Sequence, residues 1–277
     1  MKIQKAIFFT LLVTSLVFQS CTDENNLSTG TLTVKLTDAP FPHQMVVEAN
    51  VIISKIEVRK TNEMEGESPF MILSEIETSV NLLDLTNGIT ETLVNIEVPV
   101  GSYDLIRLYI KEASIVLTDG RTFDLKVPSG SQTGIKVFVK PEITVVGGLS
   151  EDLLLDFDVS KSFVPQGNMN AVSGITGFHF KPVIKAVNLS TTGTLLGKVS
   201  DTISNPLDGV QISVYAADTL NTTTFTDSLG NYTVLGLLSG SYEIEAETEG
   251  FISQEEFIEI VKGNNTVLNF ELIPNDN

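Results

Sequence analysis

Leu153-Leu154-Leu155-Asp156-Phe157-Asp158-Val159 carries apolar residues at every second position: Leu153, Leu155, Phe157 and Val159. A period of two is that of a β-strand with one face turned to a core. The same alternation recurs outward from this stretch, in Leu32, Val34 and Leu36 toward the N-terminus and in Ile135, Val137 and Val139 nearby. No segment beyond residue 21 sustains the three-and-four spacing of an amphipathic helix, and clusters of Gly, Pro, Asn and Asp punctuate the apolar runs. The expected fold class is therefore all-β, built from short strands.

Several strands can be placed. From Val46 to Val58 the apolar phase runs through Val47, Ala49, Val51 and Ile53, then switches to Ile56 and Val58, which predicts a bulge or bend. Val80 to Leu85 and Leu93 to Val98 are shorter strands either side of a turn at Thr86-Asn87-Gly88. Tyr103 to Ile110 is apolar on both faces apart from Arg107 and reads as a central strand covered on both sides. Asp119-Gly120, between Val116-Leu117 and Phe123-Leu125, is a hairpin signal. Phe178, Phe180, Pro182 and Ile184 end this first unit.

The N-terminus has a different character. Lys2 and Lys5 precede an apolar run from Ala6 to Val17, which is shorter than a comfortable membrane span and the length of a signal-peptide core. Ser20 then precedes Cys21, the only cysteine in the 277 residues. The order of basic, apolar and cysteine elements resembles a bacterial lipoprotein signal, in the looser form used by Bacteroidetes. That resemblance implies cleavage after residue 20 and lipid attachment at Cys21. Asp23 and Glu24 follow at once, resembling the acidic signal that sends such lipoproteins to the outer face of the outer membrane. A single cysteine excludes an internal disulfide, so stability has to come from burial.

The formal net charge is −18. A surface of that sign repels phosphate backbones, which argues against nucleic acid as a partner. The excess is greatest after residue 193, where Lys198 and Lys262 stand against 13 acids.

The chain divides by pattern into a leader (1–20), a polar tether (21–29), a first unit (30–187), a polar break (188–193, Asn188 to Gly193), a second unit (194–273) and a short tail (274–277). The second unit packs strand patterns and turn signals closely: Asn205-Pro206, Asp208-Gly209, Leu229-Gly230-Asn231, Ser239-Gly240-Ser241 and Gly263-Asn264. Its segments Gly197-Lys198-Val199-Ser200-Asp201, Pro206-Leu207-Asp208-Gly209-Val210, Thr226 to Tyr232 and Leu238-Ser239-Gly240-Ser241-Tyr242 resemble the carboxypeptidase regulatory-like domain. The resemblance implies a transthyretin-like, seven-stranded Greek-key sandwich that acts as a spacer or docking piece, not as a peptidase. Tyr232 and Tyr242 fall at strand starts, where a buried ring with a reachable hydroxyl partner fits.

The first unit resembles the domain of unknown function 4382. The residues that carry this are Leu36-Thr37-Asp38-Ala39-Pro40, Leu83-Asp84-Leu85, Pro99 to Tyr103, Arg107-Leu108, Pro128 to Lys136, Asp156-Phe157-Asp158 and Lys161-Ser162-Phe163. The resemblance implies a β-sandwich in a cell-envelope setting and no assigned activity. Two β-sandwich domains in tandem are thus expected.

Candidate sites are few. Asp156 and Asp158 share one face of a strand and, with Asp38 or Asp84, could hold a hard cation such as Ca²⁺, which takes several carboxylate and carbonyl oxygens. Strict alternation instead places Asp156 and Asp158 on a solvated face opposite Leu155, Phe157 and Val159, so no metal site and no other cofactor is expected. Pro128 to Gly134 is a small-residue loop ending near Lys136 whose amides could cradle an anion, but it lacks the phosphate-loop pattern and reads as structural. His43 and His179 are isolated, so they make neither a zinc site nor a catalytic triad. Asp201-Thr202-Ile203, Asp218-Thr219-Leu220 and Asp227-Ser228-Leu229 match a Bacteroidetes O-glycosylation pattern at Thr202, Thr219 and Ser228; turn chemistry explains such triplets equally well.

The expectation is a non-enzymatic envelope lipoprotein on the outer membrane, facing the cell surface or, alternatively, the periplasm. It would serve as a binding or structural module for a protein or glycan ligand. A glycan- or peptide-capturing or fimbria-associated adhesive component is the alternative, and a metal-dependent hydrolase a third. The absence of Trp argues against a strong sugar platform.

Overall fold

A computed structural model describes residues 28–39, 45–61, 69–127 and 133–275. The leader, Cys21, most of the tether, His43, the acidic loop from Asn62 and most of the Pro128–Gly134 loop lie outside the described residues.

The all-β expectation holds. The first unit contains β1 (Thr29–Ala39), β2 (Val46–Lys60), β3 (Phe70–Ser74), β4 (Thr78–Asn81), β5 (Glu91–Pro99), β6 (Gly101–Leu117), β7 (Thr122–Leu125), β8 (Ile135–Val145), β9 (Ser150–Asp158), a single helical turn α1 (Val159–Ser162), β10 (Phe163–Gly167), β11 (Ile175–Phe180) and β12 (Ile184–Asn188). Hydrogen bonding follows the order β3-β2-β6-β8-β12-β9-β1-β5, with β4 on β2 and β7 on β6. β8 is the corner of this path, since it pairs with β6 along much of its length but meets β12 only at Ala186 and Val139. The two halves face each other across one core that includes Leu36, Val51, Leu108, Leu155, Phe157 and Phe163. β1 and β9 run parallel, in a register that sets Thr37 beside Asp156, Asp38 beside Phe157 and Ala39 beside Asp158.

The predicted irregularity in β2 is present, with register shifts at Ile52/Ile53 and Ile53/Lys55. β6 is buried on both faces between Leu105 and Ile110, as a central strand should be. Its polar exceptions are Arg107 and also Asp104, which pairs with Arg59 at 2.6 Å. The strand expected over Val80–Leu85 stops early. Asn81 turns its side chain to the Leu83 amide and caps a 3-10 turn at Leu82–Leu85, and such a local bond competes with the ladder.

The second unit contains β13 (Thr192–Asp201), β14 (Gln211–Ala216), β15 (Thr219–Phe225), β16 (Asn231–Leu238), β17 (Gly240–Glu247), β18 (Gln254–Ile260), β19 (Asn265–Val267) and β20 (Phe270–Leu272). One sheet has the order β16-β13-β19 with β20 also on β13; the other has the order β15-β14-β17-β18. The seven strands expected become eight because the last is interrupted. Asn269 turns its side-chain carbonyl to the Lys198 amide at 2.8 Å, replacing a ladder bond between β19 and β20. The polar break is structured as well. Asn188 ends β12 buried and caps a 3-10 turn at Leu189–Thr191, and β13 begins at Thr192.

The two units repeat one local device. In Pro99-Val100-Gly101-Ser102-Tyr103 and Leu238-Ser239-Gly240-Ser241-Tyr242, the tyrosine hydroxyl donates to the carbonyl four residues back, Pro99 at 2.7 Å and Leu238 at 2.9 Å. Gly101 and Gly240 adopt φ of 144° and 151°, which a side chain would oppose. Each tyrosine thereby pins a turn to a strand start, in the manner of the tyrosine corner of sandwich domains. Tyr103→Phe and Tyr242→Phe should each lower unfolding free energy by about 1–2 kcal/mol in a urea titration, since each leaves a carbonyl without its donor.

Candidate functional site

Asp156 and Asp158 are not on a solvated face. β9 buries Leu153, Leu155 and Phe157 toward the first core, as the alternation predicts, but its other face is covered too. There Leu154 is buried against the second unit; a Cβ built on Gly236 of β16 would meet Leu154 and Val187. One strand pattern cannot reveal a cover supplied by a separate domain.

The seam between the units is built from the outer face of β1, β9 and β12, the Asn87-Gly88 turn, and strands β15 and β16. Thr37 on β1 donates its hydroxyl to the carbonyls of Leu85 and Ile89, both at 3.0 Å, which ties the turn to the strand. Asn87 and Gly88 adopt φ of 58° and 80°, the conformation that an Asn-Gly pair favours. So held, Asn87 donates its side-chain amide to the Asn231 carbonyl at 3.2 Å, and Gly88 lies against Thr233. Lys185, paired with Asp156 across β12 and β9, donates to the Asn221 carbonyl.

Within this seam lies a cavity of about 20 Å³, bordered by Thr37, Asp38, Asn87, Asp156, Thr224 and Thr233 among others. Asp38 is 6 % exposed; its Oδ1 accepts the Val159 amide at 3.1 Å while its Oδ2 has no partner. Burial pushes its carboxyl well above the usual range, against the pull of the Val159 amide, and the charges of Asp156 and Asp158 add to the rise. Asp156 is partly covered as a residue, but its Oδ1 is closed off from solvent and unpartnered. Burial pushes it up to about 6, the nearby Lys185 ammonium holding it lower than it would otherwise be.

Asp158 behaves differently. Burial opposes its ionisation, but Lys161 at 2.6 Å, the Ser160 hydroxyl at 2.7 Å and the Lys161 amide at 3.0 Å prevail and hold it below the usual carboxylate range. It is the cap of α1, and its bonds are used. Asp84 is exposed in the 3-10 turn, away from the cavity lining. Of the four carboxylates raised from sequence, the structure brings Asp38 and Asp156 to the cavity, assigns Asp158 to a cap, and leaves Asp84 outside. Among the described residues, no three His, Cys, Asp or Glu side chains form a metal-holding group.

A second polar cluster lies on β2 and β6. Glu57, 8 % exposed, accepts from Lys55 at 2.7 Å and from the Tyr109 hydroxyl at 2.8 Å, with Arg107 at 3.5 Å. Burial opposes the Glu57 charge, yet these partners hold its carboxyl below the usual range. Lys55 lies over the Tyr109 ring and Arg107 over the Phe70 ring. Only Arg107, the charge in an apolar strand, hinted at this cluster in the sequence. A larger open groove of about 590 Å³ is bordered by Asn50, Ser79, Lys111, Glu112, Asp124 and Leu125.

His179 is exposed on β11, beside Gln166. Thr202, Thr219 and Ser228 are all exposed. Two of them sit in one repeated turn. Asp201 Oδ1 accepts the amides of Ile203 and Asn205, and Asp227 Oδ1 accepts those of Leu229 and Asn231. The aspartates of those triplets thus have a turn role, while the hydroxyl between remains open to solvent. Tyr232 and Tyr242 have the partners foreseen for them: Tyr232 donates to the Leu268 carbonyl at 2.7 Å.

These features define a two-domain, all-β protein with a polar seam. Residues 29–182 match the family model for the domain of unknown function DUF4382, and residues 194–273 match that for the carboxypeptidase regulatory-like domain. The chain belongs to the DUF4382 family. No curated protein matches it significantly. Among solved structures, a protein from Bacteroides uniformis assigned as carbohydrate-binding is 23 % identical with a TM-score of 0.26, covering 30 % of this chain. The chain spans only 41 % of that protein's length. The 5-hydroxyisourate hydrolase of Klebsiella pneumoniae is 21 % identical over 30 % of this chain and 91 % of its own, with a TM-score of 0.27. A shaft pilin of Lactobacillus rhamnosus GG is 10 % identical over 90 % of this chain and 98 % of its own, with a TM-score of 0.30.

Proposed function

We propose that this protein is a lipid-anchored, non-enzymatic module of a bacterial outer membrane, displayed toward the cell surface. The observation that carries the reading is the N-terminal order Lys2, Lys5, the Ala6–Val17 apolar run, Ser20 and Cys21. An acyl-modified Cys21 would moor the chain, and Asp23-Glu24 with the following polar residues would space it from the bilayer. The carboxylate cavity at Asp38 and Asp156 has room for one water-sized occupant. The third expectation, a metal-dependent hydrolase, needs a deep pocket at those carboxylates.

Capture of a glycan or peptide is the reading that the 590 Å³ groove favours, because Asn50, Ser79, Lys111 and Asp124 offer donors and acceptors beside Ile52 and Leu125. The test of the main reading is palmitate labelling with surface proteolysis of intact cells. Wild type should take up label and be cleaved from outside, and Cys21→Ala should lose both label and membrane association. Unchanged labelling of Cys21→Ala would overturn the anchor; a labelled wild type that resists external protease would place it on the periplasmic face.

A further inference from the structure

Six buried side-chain polar atoms among the described residues have no hydrogen-bond partner, and four of them belong to residues that border the same 20 Å³ cavity. These are Asp38 Oδ2, Asn87 Oδ1, Asp156 Oδ1 and Thr224 Oγ1. Buried polar groups are nearly always satisfied, so four side chains, each with an atom lacking a protein partner, around one small cavity point to a ligand site. Asp38 and Thr224 are 6 % and 3 % exposed, which shuts out bulk water as the partner. The Asn87 amide is oriented by its donation to Asn231, so the atom left at the cavity is an acceptor.

We infer that this cavity is a binding site for one hard divalent cation of the Ca²⁺ type, shared between the two domains. Three of the four orphans are acceptors and two belong to carboxylates. One water donates only two hydrogen bonds and brings no charge, whereas a divalent cation matches two carboxylates in charge and accepts all four oxygens as ligands. The void admits one water-sized body, which suits a cation bound by protein oxygens. Mg²⁺ is less suited, because it retains several of its own waters. Asp38, Asn87 and Asp156 come from the first domain and Thr224 from β15 of the second, so an ion here would fasten one domain to the other. The third carboxylate nearby, Asp158, has its oxygens taken up by Ser160 and Lys161 and stays outside the site.

The test uses the full chain in detergent, stripped with EDTA and titrated with CaCl₂ by calorimetry, with melting curves in parallel. One Ca²⁺ per chain is expected, with a higher melting temperature and slower proteolysis at residues 188–193. Asp38→Asn and Asp156→Asn should each weaken Ca²⁺ binding by about tenfold or more, as loss of a ligand outweighs loss of an outer partner. Asp84→Asn should leave it unchanged. Without Ca²⁺, Asp156→Asn should melt no lower than wild type, since it removes a buried charge without altering shape, which separates lost binding from lost folding. Wild-type protein that shows no heat and no melting shift with Ca²⁺ would overturn the inference in favour of a water. Binding that survives the Asp38→Asn/Asp156→Asn double variant would overturn it too, by placing the ion elsewhere.

Discussion

Gly197→Ala is expected to destabilise the second domain by about 3–5 kcal/mol, enough to leave much of it unfolded at 37 °C. A Cβ at this position would lie 1.6 Å from the Leu268 carbonyl oxygen and 2.8 Å from the Tyr232 ring. Neither neighbour can move freely. The Leu268 carbonyl accepts the Tyr232 hydroxyl, and the Leu268 amide donates to Leu196 of β13. Relieving the overlap would therefore part β13 from the β19–β20 segment and release a buried hydroxyl. The cost is steric, because Gly197 does not need a positive φ. Gly209 offers the contrast: its φ is 69° and a Cβ there meets nothing within 4 Å, so Gly209→Ala should cost about 1–2 kcal/mol from backbone conformation alone. Urea unfolding of the two variants, followed by proteolysis of residues after 193, measures the difference. Equal midpoints for Gly197→Ala and wild type would contradict the close approach.

Phe157→Ala is expected to cost about 3–5 kcal/mol in the first domain. Phe157 is fully buried and stacks on Phe180 at 6.3 Å between centroids, with Phe163 at 6.4 Å. Phe163 and Phe180 lie 4.9 Å apart, so the three rings lock β9, β10 and β11 into one cluster. Removing this ring leaves a cavity that its neighbours, pinned by their strands, can fill only in part. Phe157 also separates Asp156 from Asp158 on the same strand, so the variant should loosen the seam as well as the core. A fall in the thermal midpoint with earlier cleavage near residue 190 is the expected pair of results. A shift in neither would show that the cluster is not packed as described.

Much of this fold is legible in the sequence because each domain's own core is written into each strand's own alternation. Leu153, Leu155 and Phe157 face inward as the period of two dictates, and Tyr103 to Ile110 is double-sided as its apolar run implies. The errors have two causes. Asp156 reads as solvent-facing because its strand alternates, yet the second domain covers that face, and no local pattern records a neighbour more than 60 residues away in the chain; Asp158 reads the same way but is taken up as the cap of α1. Asn81 and Asn269 each end or split a strand through a side-chain bond to the backbone, which residue type permits but does not announce. The candidate site is half visible in the sequence: Asp38 and Asp156 stand out as carboxylates, whereas Asn87 belongs to a turn signal and nothing in the local pattern marks Thr224. Their role depends on the docking of β15 and β16 against β1 and β9.

The central claim, that the chain hangs from an acylated Cys21, is tested most directly by the intact mass of protein purified from its native membrane. The account predicts a mature chain beginning at Cys21 and heavier than its sequence by a thioether-linked diacylglyceryl group. A mass showing an unmodified Cys21, or residues 1–20 still attached, would contradict it.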